Sequence, residues 1–122
     1  MNPENSVSRT VEPRDTAAAW GPEFPPAAST PFILSLAELA CHGVLAPDLA
    51  DDELTVGAGV ELSHDRPSPV GAHLTATAVL VERNGTKARF EVEVTDGSVV
   101  VARVQHRRAV LKRAVIEGAL QA

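Results

Sequence analysis

From Thr30 to Cys41 the chain reads Thr-Pro-Phe-Ile-Leu-Ser-Leu-Ala-Glu-Leu-Ala-Cys, apolar at nearly every position. Ser29 or Thr30 can cap a helix there, and Pro31 suits its first turn. The run continues through Val44 and Leu45 until Pro47 stops it, which predicts a helix of about fifteen residues. A helix apolar almost all round belongs in an interior. Glu38 lies in its middle, where a carboxylate is costly unless it is paired or in use.

Beyond the helix the period changes to two. Leu54 to Ser63 alternates loosely, and Pro67-Ser68-Pro69 with Gly71 breaks it. His73 to Glu82 is rich in Val and Thr. Lys87 to Thr95 alternates strictly, with Ala88, Phe90, Val92 and Val94 on one face and charged residues on the other. Asn84-Gly85 and Asp96-Gly97 predict hairpins before and after it. Ser98 to Leu111 forms a long last strand, and the tail from Lys112 to Ala122 has room for a short helix. Ahead of the helix, Met1 to Asn5 reads as a loose terminus and Ser6 to Glu12 as a short edge strand. Residues 17–29 form an Ala- and Pro-rich loop that carries Trp20 and Phe24, either a lid over a pocket or a packed surface loop. The 122 residues therefore make one α+β domain, a helix against an antiparallel meander. One flat sheet cannot cover a helix that is apolar on every side. The sheet must wrap round it, or a second subunit must cover the remainder. Both occur in the hotdog fold, whose element order this is.

Net charge is -5, which argues against a nucleic-acid partner. Basic residues do bunch late, at Arg103, Arg107, Arg108, Lys112 and Arg113, as a solvated strand face or a small anion site. The single cysteine, Cys41, excludes an internal disulfide and reads as a buried structural thiol, consistent with the cytoplasm. No signal-peptide pattern and no membrane span are expected.

Four features carry candidate chemistry. Thr30 stands at the helix start, where backbone N–H groups favour a negative group, although capping is its simplest use. Glu38 lies eight residues on, about 12 Å along the axis, with its side chain directed back toward that start, or stands solvated at an exposed helix edge with Ser35 and His42. His64 ends the second strand beside a loop and can serve as a proton carrier or stand as an ordinary surface residue. Gly57 and Gly59 inside a strand mark a bulge or a close approach to the backbone, where an amide can donate to an oxyanion. No metal-ligand spacing, nucleophile elbow or phosphate loop is present.

Taken together, from Phe24 to Leu111, these residues resemble the fluoroacetyl-CoA thioesterase branch of the hotdog thioesterases. Thr30, Glu38 within Ala37-Glu38-Leu39-Ala40-Cys41, and His64 within Leu62-Ser63-His64-Asp65 fall on that family's catalytic residues. Gly57 falls on the glycine whose amide helps bind the thioester, Arg108 on the arginine near the site, and Phe24 on one of two gating phenylalanines. The other gating position falls on Gly21, so the fluorinated specificity does not carry over. The resemblance implies a homodimeric hotdog enzyme that hydrolyses a short acyl-CoA, with coenzyme A as part of the substrate and no separate cofactor. The alternative is a non-catalytic acyl-CoA-binding hotdog protein.

Overall fold

The computed structural model describes residues 1–122. Strand β1 (Glu4–Thr10) is followed by helix α1 (Thr30–Leu45) and strands β2 (Glu53–His64), β3 (His73–Asn84), β4 (Lys87–Asp96) and β5 (Val99–Lys112). A short helix α2 (Arg113–Leu120) ends the chain. The strands form one antiparallel sheet in the order β1-β3-β4-β5-β2, curved around α1. The hairpin turns fall where Asn-Gly and Asp-Gly place them, with Gly85 and Gly97 at φ +62° and +59°. Only glycine adopts that region without strain.

Alternation sorts the sheet into two faces. Ala88, Phe90, Val92 and Val94 of β4 point inward, joined by Leu74, Ala76 and Ala78 of β3 and Ala102 and Val104 of β5. The many alanines let α1 lie close, with Ile33, Leu36, Ala37, Ala40, Cys41 and Leu45 against them. Each large side chain buried here contributes about 1.5–3 kcal/mol. The outward face is polar: Ser6 meets Thr77 and Ser8 meets Thr75, both at 2.8 Å, and Arg103 pairs with Glu93. By length and mean hydropathy (1.3) the run Thr30–Asp48 could cross a membrane. Its packing as the core helix accounts for that hydropathy.

Two expectations need correction. Glu4 and Asn5 belong to β1 rather than to a loose end, and the strand stops at Thr10 instead of Glu12. The Leu80 amide donates to Pro3 O at 2.9 Å, and Asn5 Nδ2 donates to Ala40 O of α1 at 3.1 Å. These tertiary bonds hold a segment whose polar residues hide its strand character. The tail reading also shifts, because Lys112 is still in β5.

Helix α1 takes one of the two outcomes that its apolar pattern allowed, a sheet that does not enclose it. The sheet covers one side of it only. Pro31, Ser35 and Leu39 recur every fourth residue and stay exposed, Leu39 at 48%. Glu38 keeps 41% of its side-chain surface, so a single chain does not enclose the carboxylate.

Candidate active site

The start of α1 assigns its first two side chains different tasks. Ser29 is the N-cap, and its side chain accepts from the Phe32 amide at 3.1 Å. Thr30 is thus released from capping. Its Oγ1 lies 2.9 Å from His64 Nδ1, at the end of β2. His64 Nε2 is buried with no partner in the chain. Above this pair opens a cleft of about 340 Å³, walled by Trp20, Pro25, Pro31, Asp65 and Arg66 among others.

The loop bearing Trp20 is pinned at its base. Ala17 and Ala18 donate to Ala27 O and Pro25 O, both at 3.0 Å, and Ala28 donates to Ser68 O at 2.8 Å. Ser68 therefore does more than break a strand, because it anchors the lid-like loop. At the tip, Trp20 and Phe24 pack edge to face with centroids 5.7 Å apart, and both are largely exposed. Trp20 forms part of the cleft wall, whereas Phe24 does not and reaches the cleft only through Trp20.

A second cluster forms about two turns along α1. Glu38 Oε1 is 3.3 Å from Arg108 Nη1 and 3.7 Å from His106 Nε2. Arg108 also donates through Nε to Thr55 Oγ1 at 3.0 Å, and through its other terminal nitrogen to Thr55 O at 3.2 Å. The Thr55 hydroxyl also shares a hydrogen bond with His42 Nδ1 at 2.6 Å. Gly57 stands against this cluster: a Cβ there would run into Glu38 Oε1. The β2–β5 register breaks between Gly57 and Gly59, leaving Ala58 as the extra residue of a bulge.

Of the six residues singled out in the sequence, Thr30 and His64 meet, and Glu38, Gly57 and Arg108 meet. Within one chain these are two separate clusters, and Glu38 makes no hydrogen bond to either member of the first pair. Arg108, which the resemblance puts near the site, pairs with Glu38 and is only 8% exposed. Of the two readings of the late basic residues, the solvated face fits Arg103, Arg107, Lys112 and Arg113, all exposed. Alternation along β5 turns Arg108 inward, while Arg103 pairs with Glu93 and Lys112 with Asp52. His106 and Thr55 were missed. The signal for His106 was its place two residues before Arg108, hence on the same strand face. A larger hollow of about 570 Å³, on the outer sheet face over Thr77, Glu93 and Arg103, contains none of these residues.

Two ionisable groups are displaced from their ordinary values. Burial lowers the His106 pKa, and the Arg108 guanidinium lowers it further. Burial pushes the Cys41 thiol up to about 12. Cys41 is thus no nucleophile.

A helix wrapped by five antiparallel strands, with one polar cluster at its start and another about two turns along, defines a hotdog-fold protein of the thioesterase superfamily. Residues 11–114 match the family described as fluoroacetyl-CoA-specific thioesterase, and the chain belongs to that family. It is 33% identical over 89 residues to the fluoroacetyl-CoA thioesterase of Streptantibioticus cattleyicolor. That match covers 73% of this chain and 64% of the relative, so it spans less than two thirds of the relative's length. A solved structure of the fluoroacetyl-CoA thioesterase FlK superposes with TM-score 0.93 at 26% identity, covering 99% of this chain and 94% of that one. A threonine-to-serine mutant of FlK in complex with acetyl-CoA gives TM-score 0.92 at 25% identity, over 98% and 95% of the two chains. A Thermus thermophilus member of the thioesterase superfamily shares the fold with TM-score 0.91 at 21% identity, over 98% and 89%.

Proposed function

We propose that this protein hydrolyses short acyl-CoA thioesters to the free acid and coenzyme A. The observation that carries the reading is the pair of half-sites: a Thr30–His64 hydrogen bond at one end of α1, and a Glu38–Arg108 pair beside the Gly57 bulge. Thioester hydrolysis needs a nucleophile or its activator, a proton carrier and donors for the developing oxyanion. Glu38 supplies the first, by direct attack or by orienting water. His64 carries the proton to the leaving thiolate. The Thr30 hydroxyl and the Gly57 amide hold the reacting carbonyl. By either route water is consumed, the carbonyl C–S bond breaks, and the thiolate leaves as the free thiol. No cofactor takes part, because coenzyme A enters with the substrate. A reducing cytoplasm, where Cys41 stays a thiol, is the setting we assign.

The half-sites join if the protein is a homodimer. Strand β2 ends the sheet and presents an unpaired edge, the usual template for pairing with another chain. Gly57 and His64 lie equally far from the Val60–Glu61 peptide. Antiparallel pairing of two β2 strands about that point sets Gly57 and Glu38 of one protomer beside the partner's His64. The same two-fold axis covers the exposed Pro31–Ser35–Leu39 stripe and Val60, itself 47% exposed.

Thiol release from a panel of acyl-CoA esters tests this, with Thr30→Ala, Glu38→Gln and His64→Ala beside the wild type. Turnover by the wild type and loss of at least about 100-fold in each variant are expected. Folded wild type that is stabilised by acyl-CoA yet releases no thiol would establish the non-catalytic carrier instead.

A further inference from the structure

We propose that His106 is a positioning residue for this hydrolysis, holding the Arg108 guanidinium and the Gly59 carbonyl so that Glu38 and the Gly57 bulge stay in register. The catalytic part rests on the thioesterase reading above. His106 is 2% exposed, so it acts through its neighbours rather than on the substrate. Its Nδ1 lies 2.9 Å from Gly59 O. A carbonyl only accepts, so Nδ1 carries the proton and Nε2 is left with a lone pair. That lone pair faces Arg108 Nη1 at 3.1 Å, and an arginine nitrogen only donates. Both bonds require the same neutral tautomer. Burial and the adjacent guanidinium keep the ring in that state by lowering its pKa.

The arrangement distributes the hydrogens of Arg108. Nη1 has two: one goes to His106 Nε2 and the other to Glu38 Oε1. Nε and the remaining nitrogen are held by Thr55. Without His106 one buried hydrogen of Nη1 loses its acceptor, and the guanidinium turns to recover one. The carboxylate that rests on the same nitrogen then moves with it. The Gly59 carbonyl loses its tie too, and it borders the bulge that sets Gly57.

Three substitutions separate the contacts. Glutamine places an oxygen near the Nε2 position and can accept from Arg108. Asparagine reaches Gly59 O but not Arg108. Leucine does neither. His106→Leu should lower kcat for acyl-CoA by about 10- to 100-fold with KM within about threefold of wild type. His106→Gln should recover most of the loss, and His106→Asn should stay near leucine. Nitrogen-15 NMR of the imidazole at neutral pH should show the neutral Nδ1–H tautomer. A folded leucine variant with kcat within about twofold of wild type would overturn the proposal. So would equal losses in glutamine and leucine that track thermal stability, or an Nε2–H tautomer. An inert wild type sinks the thioesterase reading and this role with it. An active wild type with an unaffected leucine variant sinks this role alone.

Discussion

Gly57→Ala separates the needs of the site from those of the fold. The backbone at Gly57 is not in the left-handed region, so alanine fits it without strain. A Cβ there would lie 3.4 Å from His106 Cε1 and 3.6 Å from Arg108 Nη1, which is tolerable, but it would overlap Glu38 Oε1. That oxygen ends a flexible, partly exposed side chain and can retreat. The fold should therefore change by no more than about 1 kcal/mol, with alanine's lower unfolded-state entropy offsetting some of the crowding. To restore ordinary contact the carboxylate must withdraw by about 1 Å. A misplacement of that size costs about 100-fold in rate, or roughly 2.7 kcal/mol of barrier. The assay pairs thiol release from acetyl-CoA with a thermal melt of the same preparation. The expected result is kcat/KM down about 100-fold with Tm within about 5 °C of wild type. Full activity would show that the Glu38 position does not matter. A collapse in Tm would show that the glycine serves packing.

Arg108→Met leaves Thr55 O and the His106 Nε2 lone pair without their donor in a buried site. It should destabilise the protein by about 2 kcal/mol in urea titrations as well as lower turnover. Ser29→Ala removes the cap on the Phe32 amide; about 1 kcal/mol of stability should be lost, and an unchanged urea midpoint would contradict the cap. The Cys41 pKa is raised in the folded state to about 12, so its contribution is fully present below the unfolded value near 9.0 and is lost as pH rises above it. Stability should then fall between those values by up to about 1.4 kcal/mol per pH unit, and Cys41→Ala should flatten that limb. Equal alkaline slopes in the two proteins would contradict the burial.

Strong local signals in the sequence survived in the structure. Pro31 and Pro47 bracket α1, the alternation of β4 sets its two faces, and Gly85 and Gly97 turn its hairpins. Glu4 and Asn5 were misread because what orders them is remote in sequence, a strand partner at Ala78 and Val79 and a carbonyl on α1. The six candidate residues were singled out through family resemblance rather than periodicity, and the structure gathers five of them into two clusters. Their separation into two clusters was not legible, because it depends on where α1 crosses the sheet. The apolar pattern of α1 could not tell which side the sheet would leave uncovered, because the exposed positions Pro31 and Leu39 are as apolar as the buried ones. His106 escaped notice because a lone histidine carries no signal until the strand face it shares with Arg108 is known.

The composite site is tested most directly by mixing defects between subunits. A Glu38→Gln chain and a His64→Ala chain with different tags are coexpressed, and the heterodimer is isolated by tandem purification. Each homodimer should be inactive. If the Thr30–His64 pair of one protomer works with Glu38 of the other, one site of the heterodimer retains all three residues. Thiol release should then return to about half the wild-type rate. A heterodimer as inactive as its parents would contradict the shared site and confine catalysis to the residues of a single chain.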